Sequence, residues 1–187
     1  SWLLNQTKVA SSLNWFIEID SDEQTACEIS YDTFSNTLTI NEDKTLSSGA
    51  GSCLSLDSAG YWLKISPNCL EKEFIISCDK DFKSTLLYTA SNSETIHVSQ
   101  NLHQAVANGE TKEKVTFKCF QQGTACNYEG SLWASLALSK KSQSITSYIP
   151  YLEAFQSENK GYFPETFLYI LKNQEEYFSS IIQDNFK

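Results

Sequence analysis

Leu54-Ser55-Leu56-Asp57-Ser58-Ala59-Gly60-Tyr61-Trp62-Leu63-Lys64-Ile65 reads as a single hairpin. Two arms alternate apolar with polar residues about a four-residue turn that ends on glycine. Pro67 stops the second arm, because proline cannot continue a strand ladder. Working outward, the same period of two recurs. Trp15, Ile17 and Ile19 share one face against Phe16 and Glu18. Cys27, Ile29 and Tyr31 alternate with Glu28 and Ser30, and Leu38 and Ile40 with Thr37 and Thr39. Further strands are predicted over 74–78, 85–88, 95–98 and 115–119, the last turning Val115, Phe117 and Cys119 inward against Thr116 and Lys118. Short strands at spacings of about 8–12 residues point to an antiparallel β-sandwich. A parallel sheet would need helical crossovers, for which the spacing leaves no room. The stretch 92–113 contains the longest polar interruption, around Asn108-Gly109-Glu110, where a mobile loop is expected.

Beyond Cys126 the apolar period lengthens. Leu132, Trp133, Leu136 and Leu138, and then Ile145, Tyr148, Ile149, Leu152 and Phe155, recur at helical spacing. Pro164 suits the first turn of a third helix. Asn173, three residues before Glu176, resembles a capping box for a fourth. Trp2, Leu3 and Leu4 read as a helix end or a docking segment. The fold class is therefore α+β: a helix end or docking segment at 1–13, a disulfide-stapled antiparallel β-sandwich at 14–120, and a small antiparallel helical segment of four short helices at 121–187.

The 187 residues carry 14 basic against 23 acidic side chains, a net charge of −9, with no Met and no Arg. Such a surface repels phosphate and lacks the guanidinium fork that reads base edges, which excludes nucleic acid as a partner. The absence of Met implies a mature or trimmed chain, and a start in mid-pattern implies a piece of something longer. No run reaches the roughly 20 apolar residues of a membrane span.

Six cysteines make an even set with neither C-x-x-C spacing nor a nearby histidine, so bridges in an oxidising compartment are expected rather than a metal. The chain is thus expected to be extracellular or at the cell surface. Cys119 and Cys126 close a small loop in which Gly123 supplies the bend. The other four allow three connectivities. Cys27–Cys78 and Cys53–Cys69 are expected, the first tying an early strand to a late one and the second bracing the hairpin. Asn5-Gln6-Thr7 is a sequon, which makes Asn5 a candidate for glycosylation.

No catalytic residues are expected. His97 and His103 are the only histidines, no G-x-S-x-G elbow accompanies the many serines, and both rings read as solvated. Calcium is the one cofactor the pattern allows. A Cys27–Cys78 bridge would carry the turn with Asp20, Asp22 and Glu23 towards Asp79 and Asp81, and calcium takes about 6–8 oxygen ligands. The bland alternative is a solvated acidic rim neutralised by Lys80 and Lys83. Tyr61, Trp62, Tyr88, Tyr128, Tyr148, Tyr151 and Tyr162 serve either the core or a platform for carbohydrate or protein.

Tyr128-Glu129-Gly130-Ser131-Leu132-Trp133-Ala134-Ser135-Leu136-Ala137-Leu138 and the paired helices after it resemble repeats of the α/α-toroid group. That group includes terpenoid cyclases, prenyltransferases and the thioester domains of α-macroglobulin-like proteins. Trp2-Leu3-Leu4-Asn5-Gln6 resembles the end of such a repeat. The resemblance implies a β-domain inserted between two repeats of a scaffold. It carries over no functional residue: the thioester motif, an aspartate-rich motif and a zinc set are all missing from the chain.

Together these readings predict a non-enzymatic module of a larger secreted or cell-surface protein, in adhesion, recognition or assembly. Its partners would be a protein or glycan at the cell surface and the rest of its own parent chain. The alternative is an accessory β-domain of an extracellular, carbohydrate-active enzyme whose catalytic residues lie outside this chain.

Overall fold

Where side chains alternate between oil and water, the backbone settles into strands whose inner rows meet. A computed structural model of the chain describes residues 2–10, 12–173 and 175–185. Its strands are β1 (Thr7–Val9), β2 (Leu13–Asp20), β3 (Thr25–Tyr31), β4 (Phe34–Ile40), β5 (Leu54–Leu56) and β6 (Trp62–Ile65). There follow β7 (Glu73–Cys78), β8 (Phe82–Ala90), β9 (His97–Ala105), β10 (Glu110–Lys114), β11 (Lys118–Gln122) and β12 (Ala125–Cys126). The helices are α1 (Tyr128–Lys140), α2 (Ile149–Ala154), α3 (Pro164–Lys172) and α4 (Glu175–Asn185). All strand pairs are antiparallel.

The chain divides into two compact units, Ser11–Val115 and the joined segments Ser1–Ala10 and Thr116–Lys187. The first is thus an insertion in the chain of the second.

The Ser11–Val115 unit is the disulfide-stapled sandwich, a four-stranded sheet β10-β7-β3-β4 facing a five-stranded sheet β5-β6-β2-β8-β9. Trp15, Ile17, Ile29, Leu38, Leu63, Phe74 and Ile76 are fully buried between them. Each such side chain contributes about 1.5–3 kcal/mol by leaving water. Cys27 lies opposite Cys78 in the β3–β7 register and is bonded to it. Cys53 is bonded to Cys69, which ties the base of the β5–β6 hairpin to the turn at Pro67. The four-residue turn of that hairpin is organised by Asp57, whose carboxylate accepts from the amides of Ala59, Tyr61 and Trp62.

Two expectations are corrected in this unit. The stretch 92–113 is mostly strand, since it holds all of β9 and all but the last residue of β10; the strand expected at 95–98 begins at His97 and runs on to Ala105, and the loop around Asn108-Gly109 shrinks to 106–109. Its polar composition concealed strands whose backbones pair with β8 and β7. The strand expected at 115–119 begins later, at Lys118, and belongs to the other unit, although Val115, Phe117 and Cys119 are buried as their phase requires.

In the second unit β1 pairs with β11, and β11 with β12, around the Cys119–Cys126 bridge. The expected helix end at the start of the chain is a 3-10 turn, Trp2–Gln6, followed by strand rather than helix. Asn127 caps α1 by accepting from the Gly130 amide. Phe120 stacks on Tyr148 at 4.7 Å and packs with Ala134 and Leu138. Glu153 of α2 accepts from Lys172 of α3 and from the Tyr177 hydroxyl of α4, tying three helices at one carboxylate. Pro164 stands in the first turn of α3 as expected. Asn173 ends α3 in a left-handed conformation, φ 54°, and α4 begins two residues on, at Glu175. The side chain of Glu176 lies outside the described residues.

Three tyrosines make this unit sensitive to alkali. Burial raises the Tyr128 hydroxyl, which donates to Leu152 O at 2.7 Å, well above the ordinary phenol value, and Glu165 adds to the effect. Burial pushes Tyr151 up to about 12 and raises Tyr148 as well. An unfolded tyrosine ionises near pH 10, so these groups weigh nothing against folding at lower pH. Above it only the unfolded chain gains by ionising, and stability falls as pH rises towards and through the folded values. The unit is expected to unfold between about pH 10 and about pH 12. The last part of the phenolate absorbance should appear together with loss of helical circular dichroism. Full phenolate absorbance from all nine tyrosines with the helices still intact would contradict this.

Candidate functional site

Because paired strands set residues opposite one another, the outer face of the five-stranded sheet carries rows running across strands. One row is Lys64, Phe16, Leu87 and Val98; the next is Trp62, Glu18, Thr85 and Leu102; a third is Asp20, Lys83 and Gln104. The inner face of this sheet is the core, so its outer apolar residues are surplus to the packing of the sandwich. Phe16 and Trp62 meet edge to face at 6.0 Å, and the Trp62 indole donates to Glu18 Oε1 at 3.3 Å. Leu87 is buried beside them, whereas Val98 and Leu102 on β9 stand 62% and 60% exposed. Val106, just past the end of β9, is 70% exposed.

A bulge in β9 brings Leu102 into line with this face. Two strand positions of β8, from Leu87 to Thr85, oppose a longer run of β9, from Val98 to Leu102. The extra residues are held by Thr85 Oγ1 donating to Asn101 O at 3.0 Å and by the Asn101 amide donating to Ser99 Oγ at 3.2 Å. Such bulges re-aim side chains at sheet edges.

The inner side of β9 is braced by a buried polar network. Ser84 and His103 are register partners, and Glu113 of β10 reaches both from the opposite sheet. Glu113 Oε1 lies 2.6 Å from Ser84 Oγ and 2.9 Å from His103 Nδ1, with its side chain only 2% exposed. Ser84 Oγ is also 2.8 Å from Thr111 Oγ1. A hydroxyl has one proton, so Ser84 donates to the carboxylate and Thr111 supplies the second bond. The imidazole then donates from Nδ1. The three residue types match a hydrolase triad, but the order does not: the carboxylate stands between hydroxyl and imidazole, and Ser84 is fully buried. This arrangement fixes β9 to the opposite sheet and gives Ser84 no base.

His103 was expected to be solvated in a loop; it stands in β9, its ring partly exposed and its Nδ1 engaged. His97 stacks on Tyr88 at 5.1 Å. The network had one signal in the sequence, because Thr111 and Glu113 are in phase with the inward residues Val115 and Phe117.

The expected calcium ligands are partly brought together but do not form a cage. The Cys27–Cys78 bridge does place the two acidic turns side by side, with Ser21 Oγ donating to Asp81 O at 2.8 Å. Four of the five carboxylates there are engaged by other partners. Asp79 accepts from the Thr25 hydroxyl and the Ala26 amide, and these bonds hold its carboxyl below the usual range. Asp81 accepts from the Ala107 amide at 2.9 Å, Asp20 pairs with Lys44, and Glu23 pairs with Lys80. Asp22 is exposed. Among the described residues no three carboxylate, cysteine or histidine side chains converge to hold a metal ion. Asp20, Asp22 and Asp81 instead line a cleft of about 400 Å³ with Lys83, Gln104 and Val106, at the end of β9.

Of the aromatic candidates, Tyr88, Tyr128, Tyr148 and Tyr151 are core, while Tyr61 and Tyr162 are exposed. Asn5 is exposed in the first turn of the chain. Among the described residues no free cysteine remains and no helix is long and apolar enough to cross a membrane. Comparison with protein-family models, characterised proteins and solved structures finds no match to this chain.

Proposed function

We propose that this chain is a non-enzymatic recognition module of a larger secreted or cell-surface protein, and that it binds through the outer face of its five-stranded sheet. The observation that carries this reading is the row of apolar side chains left open there, with Val98 and Leu102 each about three-fifths exposed. An exposed apolar surface that the core does not need is maintained against its own solubility penalty, and recognition is the use that offsets it. Three disulfides support action outside the cytosol. The second unit leaves Trp133, Phe163, Ile170 and Phe178 half or more exposed or close to it, which supports docking against further parts of a parent chain.

A second reading is an accessory domain of a carbohydrate-active enzyme, favoured by the exposed Tyr61, which precedes Trp62 of the Phe16–Trp62 pair in the chain.

Val98→Lys/Leu102→Lys tests the face. Neither side chain is core, so the melting temperature should hold within about 2 °C. Binding to surface proteins of the source cells, measured with purified chain on protein and glycan arrays, should fall about tenfold or more, as it does when an interface centre is charged. Unchanged binding by this variant would remove the face from recognition. Binding confined to glycans and lost in Trp62→Ala would select the second reading.

A further inference from the structure

The sandwich has four sheet edges, and three of them are closed to a further strand. β5 is only three residues long. β10 is charged at Glu110, Lys112, Glu113 and Lys114. β4 is covered by the loop that follows it: the Ser47 amide donates to Thr39 O at 2.9 Å, the Thr39 amide donates to Ser47 Oγ at 2.8 Å, and Ile40 bridges Leu46. Short length, charge, bulges and cover are devices by which sheets avoid pairing with other chains. β9 carries only the bulge at 98–102, and beyond it the run Leu102–Ala105 is regular up to the end of the strand. It is nine residues long, has no Asp, Glu, Lys, Arg or Pro, and among the described residues is paired as a strand only with β8.

We infer that β9 is the docking edge for an extended, basic-ended peptide segment of a partner protein, which adds to the five-stranded sheet as a further strand. The inference deepens the proposed recognition reading and rests on it. An edge strand offers alternate amides and carbonyls to an incoming backbone, and outward side chains sort the alternate residues of the guest. Val98 and Leu102 present that apolar row on the outer face, and the Glu113–His103 bond holds the strand in place from within. Charge selects the occupant. At the C-terminal end of β9 lies the cleft with Asp20, Asp22 and Asp81, lined by the cation Lys83, with Lys44 paired to Asp20 at its rim. A guest running antiparallel places its N-terminal residues at that end, where Lys or Arg complements the cleft. A second copy of this chain fits badly: antiparallel β9 pairing would bring Glu94, which precedes β9, to the partner's acidic cleft, between molecules of net charge −9 each.

The probe is a fluorescein-labelled synthetic peptide, Lys-Lys-Thr-Val-Thr-Val-Thr-Val-Thr, whose length matches β9, titrated with the intact chain and read by anisotropy. Saturable binding is expected. N-methylation of alternate residues, which removes the bonding edge of the peptide and keeps its side chains, should weaken it about tenfold or more. Asp22→Lys, at an exposed turn, should weaken the lysine peptide and favour a version beginning Glu-Glu. No binding of the parent peptide, or equal binding after N-methylation, overturns the inference. So does a concentration-dependent dimer in sedimentation that is abolished by substitutions in β9. Recognition through the face alone survives these failures, because the Val98→Lys/Leu102→Lys comparison does not depend on strand addition.

Discussion

Glu113→Ala is expected to lower the stability of the sandwich by about 3–5 kcal/mol. The carboxylate is the common acceptor for Ser84 and His103, and Ser84 is in turn bonded to Thr111. Removing it leaves a buried hydroxyl without its acceptor, an imidazole donor without a partner, and a void in the inter-sheet space. Glu113→Gln retains the shape and one acceptor and should lose about 1–2 kcal/mol. His103→Ala should lose still less, because that ring is 44% exposed and water replaces part of what it gives up. Chemical denaturation of the three variants checks the order. A Glu113→Ala protein as stable as the parent would show that the network does not brace β9.

The second large effect concerns the staples. Cys27→Ala/Cys78→Ala frees a loop spanning 51 positions, and the chain-entropy relation assigns it about 4 kcal/mol. The same relation gives about 3 kcal/mol for Cys53–Cys69, separated by 16, and about 2 kcal/mol for Cys119–Cys126, separated by 7. Cys27 and Cys78 are also buried in paired strands, so their loss opens a small cavity in addition. Thermal melts of the three double-alanine proteins should rank in that order. Loss of Cys119–Cys126 should appear in the transition of the helical unit, where that bridge lies. Equal effects from all three pairs would argue that the bridges act through local packing rather than by constraining the unfolded chain.

What could be read from the chain divides along a physical line. Strands with a sharp apolar alternation were legible: Leu13–Asp20, Thr25–Tyr31 and Trp62–Ile65 each bury the row that their period implies. β9 and β10 were not, since His97–Ala105 and Glu110–Lys114 hold few apolar residues and owe their conformation to β8 and β7. Tertiary pairing overrode local composition there. The edge of β9 was hidden for the same reason, because only its start fell in the strand expected at 95–98 and the rest fell in a polar stretch. The acidic turns were placed side by side as the Cys27–Cys78 pairing implied, yet nearby amides, hydroxyls and lysines took up their carboxylates. Side-chain partners of that kind depend on loop paths that a one-dimensional pattern does not encode. Asn173 shows the limit at helix ends: the same residue suits an N-cap or a left-handed C-cap, and the turn from α3 decides which.

The claim on which strand addition rests is that β9 is a formed strand bonded along one side only. Residue-resolved amide hydrogen exchange of the free, oxidised chain tests it most directly. The account predicts slow exchange along β2, β3, β7 and β8, and in β9 slow exchange only at amides bonded to β8, interleaved with fast ones on the open side. Uniform protection along β9 would mean that the edge is already covered, and uniform fast exchange would mean that 97–105 is a loop after all; either result would contradict the account.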